Sequence, residues 1–107
     1  MTRVLLVFID GVGVGNDDPD VNPFVRARMD VIGELLANGS ATPAPLDAML
    51  GMSGLPQSGT GQTALLTGIN AAREFGRHFG PWVPTVLRER LMKDSVLARA
   101  AAAGKSV

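Results

Sequence analysis

Residues Arg3 to Ile9 read RVLLVFI, apolar on both alternating faces from Val4 onwards, and Asp10-Gly11 cut the run off sharply. A β-branched and aliphatic stretch of this kind suits a central parallel strand, because helices on both sides of a sheet give each face an apolar neighbour. No other segment constrains the fold so tightly. If the run is such a strand, the remaining chain must supply further strands and the helices that cross between them. The expected fold class is therefore α/β, a mostly parallel sheet flanked by helices.

The segments downstream follow that pattern. Gly11 to Pro23 holds three Gly, two Pro, three Asp and two Asn, and reads as a loop longer than a simple strand-to-helix connection. Asn22 can cap a helix that has Pro23 in its first position and Asn38-Gly39 as its stop. Within it Val25, Met29, Ile32 and Leu36 recur at helical spacing. Pro43, Pro45 and two Gly break the chain from Ser40 to Gly54, with a short strand expected near Leu46 to Leu50. Thr63 to Thr67 is expected as a short helix ended by Gly68, and Ile69 to Pro84 as exposed loop. Thr85 to Ala103 reads as helix in two pieces, with Asp94-Ser95 capping the second. Gly104 ends it, and Lys105-Ser106-Val107 resemble the opening of another strand.

Composition narrows the function classes. A length of 107 residues, 46% of them hydrophobic, fits one globular unit and not a disordered chain. Ten basic residues balance ten acidic ones, so no electrostatic feature calls for a nucleic-acid partner or an anionic membrane. Without Cys there is no disulfide framework, thiolate zinc site or Cys nucleophile. Val4 to Ile9 is too short to span a bilayer, and Asp10-Gly11 stand where a signal peptide would need its cleavage site. A cytoplasmic protein is expected.

Three glycine-rich signals carry candidate chemistry. Gly11-Val12-Gly13-Val14-Gly15 follows the first strand, yet its third Gly comes one residue early for a dinucleotide fingerprint. Asp10 also sets a carboxylate where a pyrophosphate would approach, and Asp17-Asp18-Pro19-Asp20 delay the helix. A nucleotide-binding half-domain is kept as an alternative. Gly104-Lys105-Ser106 looks like the end of a P-loop, but the first Gly of that motif would fall at Arg99, so a helix stop explains it better. The third signal is Gln57-Ser58-Gly59-Thr60-Gly61-Gln62, leading into a helix. A helix start offers unpaired N–H groups and the positive end of a dipole, and small residues let a ligand approach. A hydroxyl placed there can cap the helix or attack a phosphorus atom.

Val7-Phe8-Ile9-Asp10-Gly11-Val12-Gly13, followed some fifty residues later by Leu55-Pro56-Gln57-Ser58-Gly59-Thr60-Gly61-Gln62-Thr63, resembles the N-terminal part of the alkaline phosphatase superfamily. The likeness is nearest to the branch holding cofactor-independent phosphoglycerate mutase and phosphopentomutase. It implies an alkaline phosphatase-like fold, with Asp10 as a metal ligand and Ser58 as the phosphorylated nucleophile, also touching metal. Thr60, Gly61 and Gln62 would line the phosphate site. Two divalent ions, Mn, Zn or Mg, would be the cofactors, and a phosphorylated small molecule the substrate. A metal touching a serine hydroxyl lowers its pKa, and a second ion can clamp the phosphoryl oxygens.

The chain departs from that branch at two places. Gln62 stands where the mutases have His, and Gln57 where they have an acidic residue or Asn. A phosphatase, another phosphotransferase or an esterase therefore stay open beside a phosphomutase. Thr60 is a second hydroxyl in the same turn, so the nucleophile is Ser58 or Thr60. A two-metal site needs more Asp and His ligands than this chain offers, and the single histidine, His78, reads first as a surface or core residue. The 107 residues are accordingly expected to be the N-terminal segment of a single larger metalloenzyme domain, inactive alone. The alternative is a non-catalytic α/β module or truncated product that self-associates through an incomplete sheet.

Overall fold

Asn22 and Pro23 begin a helix as their chemistry requires. In the computed structural model, which describes residues 3–13, 15–27 and 29–107, α1 spans Pro23–Arg26. The Asn22 side-chain oxygen accepts from the Phe24 N–H at 3.1 Å, and its amide donates to the Asn16 carbonyl at 2.7 Å. The helix expected to continue to Ala37 is divided. Ala27 turns extended (φ −68°, ψ 139°), and α2 starts afresh over Asp30–Ala37. Neither α1 nor α2 contains a buried residue. With no packed face to reward continuity, the weak helix formers Val25, Val31, Ile32 and Gly33 do not sustain one long helix. At the far end the expected stop is present, with Asn38 as the C-cap and Gly39 at φ +74°.

These elements belong to the first of two units, Met1–Leu46 and Asp47–Val107. The expected parallel sheet is not found in either. Among the described residues there is no strand, so the α/β class is replaced by an all-helical one. A strand exists only through the ladder it forms with a neighbour, and residues 3–9 have none: Val4 is 88% exposed and Leu5 86%. The same correction applies to residues 46–50. There the Asp47 carboxylate accepts from the Met49 N–H at 2.9 Å and its carbonyl from the Leu50 N–H at 3.3 Å, closing a turn. Residues 105–107 are likewise exposed and form no strand. Val14, in the middle of the first glycine signal, lies outside the described residues.

The second unit holds α3 (Ser58–Thr67), α4 (Ala71–Phe75), α5 (Thr85–Asp94) and α6 (Val96–Ala102). Gly68, at φ +78°, ends α3 where the sequence places its stop, but the helix starts five residues before Thr63, at Ser58. Thr63 and Thr67 are buried, and each hydroxyl donates to the carbonyl one turn back at 2.6 Å, so neither leaves an unmet polar group. Asn70 caps α4 by accepting from the Arg73 N–H at 3.0 Å, while its amide donates to the Leu50 carbonyl at 2.7 Å. The division between α5 and α6 falls as expected, with Ser95 accepting from the Ala98 N–H at 3.2 Å. Ala64, Ala71 and Leu87 form the buried core, and Leu50, Ile69, Phe75 and Val83 pack against it.

Leu87 is 1% exposed, whereas Leu5 is 86% exposed. Leu87→Ala should therefore lower the free energy of unfolding by about 2–5 kcal/mol in urea titration. Leu5→Ala should change it by no more than about 0.5 kcal/mol. A cost at Leu5 comparable with that at Leu87 would mean that residues 3–9 are a buried strand after all.

Candidate functional site

The Gln57 to Gln62 turn is the region where sequence chemistry and geometry meet. Gln57 is extended (φ −131°, ψ 145°) and is the N-cap of α3, with no side-chain capping bond of its own. Ser58 is thus the first helical residue and not the cap. Its side chain is half-buried. A hydroxyl in this position lies at the positive end of the helix, where developing negative charge is favoured.

The next residue explains how the turn is held. Gly59 is buried, and a Cβ built on it would overlap the Trp82 carbonyl oxygen and lie 2.6 Å from that of Phe79. No side chain fits in that space. The backbone of residues 79–82 lies directly against the start of α3, and glycine is the residue that permits the contact.

Thr60 secures the same contact by hydrogen bonds. Its N–H donates to the Phe79 carbonyl at 2.9 Å, and its hydroxyl accepts from the Phe79 N–H at 3.2 Å. The hydroxyl also lies 3.4 Å from the carbonyls of Gln57 and Phe79, and the residue is 0% exposed. This hydroxyl is engaged inside the protein. Gly61 N–H is committed too, donating to the Gln57 carbonyl at 2.8 Å as the first bond of the helix. Thr60 and Gly61 therefore shape the turn from within. Gln62, half-buried and one helical turn beyond Ser58, shares that residue's side of α3.

Ile69 to Pro84, expected as exposed loop, instead holds α4 over Ala71–Phe75 with Ala71 and Ala72 buried, and the part that residues 76–82 play in this turn is the feature the sequence concealed. Phe75 and Phe79 meet edge-to-face with ring centres 5.1 Å apart. The Arg77 guanidinium lies 5.7 Å from one ring centre and 5.6 Å from the other. The signal available in the sequence was the spacing Phe75-x-Arg77-x-Phe79, which sets two rings about one guanidinium. His78 is half-buried; its Nε2 lies 3.4 Å from the Met52 carbonyl, and its Nδ1 is buried without a hydrogen bond among the described residues.

Asp10 is exposed and forms a turn with Gly11, at φ +73°, in the first unit; Ser58 belongs to the second. Among the described residues no three His, Asp or Glu side chains gather closely enough to hold a metal ion. Asp10 supplies one carboxylate and Ser58 one hydroxyl, which is short of the oxygen-rich shell that a divalent cation requires. An open groove of about 460 Å³ in the first unit is lined by residues including Asp17, Phe24, Met29, Asp30 and Leu36, and does not include Asp10.

Compared with known protein families, curated protein sequences and solved structures, the chain gives no match.

The turn makes opposite predictions for its two glycines. Gly59→Ala should lower stability by about 1–3 kcal/mol, because the added methyl must displace backbone. Gly61, with nothing within 4 Å of its Cβ position, should accept alanine at no cost or gain up to about 1 kcal/mol from helix propensity. Thermal unfolding of the two variants measures both. Equal effects would remove the close contact at Gly59 from the account.

Proposed function

We propose that the chain carries the nucleophile of a metal-dependent phosphoryl-transfer enzyme, of phosphatase or phosphomutase type, acting in the cytoplasm on a phosphorylated small molecule. The observation that carries this reading is the placement of two residues of one turn: Ser58 is half-buried at the start of a helix, Thr60 is enclosed. Thr60 is fully buried and bonded to Phe79, whereas Ser58 occupies the first position of α3. Ser58 is the nucleophile on this reading, and Thr60 and Gly61 fix the shape of the turn that presents it. The likeness of residues 7–13 and 55–63 to the alkaline phosphatase superfamily supports the same assignment.

In the proposed step, Ser58 Oγ attacks phosphorus as its proton passes to a base, and the bond between phosphorus and the leaving oxygen breaks. Transfer of the phosphoryl group to water or to a second hydroxyl then regenerates the serine. The positive end of α3 favours the charge that builds on the transferring group. A divalent ion would lower the pKa of the serine hydroxyl and neutralise phosphoryl charge.

The test uses the protein as its gene encodes it, with p-nitrophenyl phosphate as donor and Mn²⁺ present. A phosphoryl group should appear on the peptide containing Ser58, and Ser58→Ala should abolish both the adduct and turnover. Thr60→Ser, which keeps the hydroxyl that bonds Phe79, should retain both. Undiminished turnover in Ser58→Ala would overturn the assignment.

A further inference from the structure

We infer that Asn38 is a site of spontaneous backbone-assisted deamidation, and that it is the first asparagine of this chain to convert. Asn38 is followed by Gly39, and both residues are exposed at the end of α2. In the reaction the Gly39 backbone nitrogen attacks the Asn38 side-chain carbon. A bond forms between that nitrogen and Cγ, the bond from Cγ to Nδ2 breaks, and ammonia leaves with the Gly39 amide proton. One water molecule then opens the five-membered imide, giving aspartate or isoaspartate at position 38 with no change of oxidation state.

Three observations favour this position. The Ser40 N–H donates to Asn38 Oδ1 at 2.8 Å, and negative charge builds on that oxygen when the nitrogen attacks Cγ. A backbone donor aimed at a developing oxyanion lowers the barrier to its formation. The ring closed by this bond encloses the Gly39 peptide, which has no side chain to obstruct the attacking nitrogen. Gly39 N–H itself makes a long 3.4 Å bond to the Leu36 carbonyl. The third observation is the lack of packing around the reacting backbone: α2 contains no buried residue, so the rotation the attack demands does not break a packed core.

The other three asparagines lack this combination. Asn22 precedes Pro23, whose nitrogen has no proton to lose and cannot attack. Asn70 is held at both ends of its amide, by the Leu50 carbonyl at 2.7 Å and the Arg73 N–H at 3.0 Å, and the Ala71 that follows is 0% exposed. Asn16 precedes Asp17, whose carboxylate disfavours loss of the peptide proton next to it. Conversion of Asn38 adds a carboxylate at the negative end of the α2 dipole, which weakens the last turn of the helix.

The purified chain is incubated in mildly alkaline buffer, and its peptides are separated and weighed over time. Asn38 should convert to a mixture of aspartyl and isoaspartyl peptides at least about tenfold faster than Asn16 or Asn70, the helix end being the readily opened part. Ser40→Ala, which keeps the backbone donor, should leave the rate unchanged, and Ser40→Pro, which removes it, should slow conversion about threefold or more. Conversion of Asn16 or Asn70 ahead of Asn38, or equal rates at all three, would overturn the inference. An undiminished rate in Ser40→Pro would overturn the role given to the Ser40 N–H.

Discussion

The second unit depends on the contact between the start of α3 and the backbone of residues 79–82. A helix start carries N–H groups with no partner inside the helix, and they must find one. Here the Phe79 carbonyl meets the Thr60 N–H at 2.9 Å, and the Thr60 hydroxyl meets the Phe79 N–H at 3.2 Å. The arrangement requires Gly59, because the Trp82 and Phe79 carbonyls occupy the space of any side chain. From this contact the remaining placements follow. Phe79 brings its ring to Phe75 on α4, and Val83 joins the core around Ala64, Ala71 and Leu87.

That contact also gives two neighbouring hydroxyls different fates. Thr60 faces inward and works as a structural latch, while Ser58, two residues earlier, opens the helix. A reading of the turn as phosphate cradle has to be narrowed accordingly, since the N–H groups of Thr60 and Gly61 are both bonded within the protein. The chemistry proposed for the turn therefore rests on Ser58 and on the dipole of α3. Among the described residues no three His, Asp or Glu side chains gather closely enough to hold a metal ion.

Much of the local structure was legible in the sequence wherever a single residue decides it. Asn22-Pro23, Asn38-Gly39, Gly68 and Ser95 act at helix ends through their own backbone or side-chain chemistry, and they do so where the sequence places them. The fold class was not legible, because a strand is a property of two segments. Val4 to Ile9 has the composition of a central strand, yet without a paired neighbour its backbone forms no ladder. The start of α3 was hidden for a related reason. Ser58-Gly59-Thr60-Gly61 is poor helix sequence by propensity, and its helical form depends on residues some twenty positions away. At the candidate site, the motif singles out Ser58 and Thr60 as hydroxyls without separating them; that Thr60 is the latch was not legible, since its partner lies in a stretch with no pattern.

Phe79 fixes the start of α3 while residues 3–9 form no strand ladder, and amide hydrogen exchange tests this contrast most directly. The Thr60 N–H, bonded to the Phe79 carbonyl at 2.9 Å, should exchange as slowly as that of Leu87 in the core, through opening of the whole second unit. The amides of Leu5 and Val7 should exchange at the rate of an unprotected chain. A Thr60 amide that exchanges as fast as Leu5, or a Leu5 amide as protected as Leu87, would contradict the account.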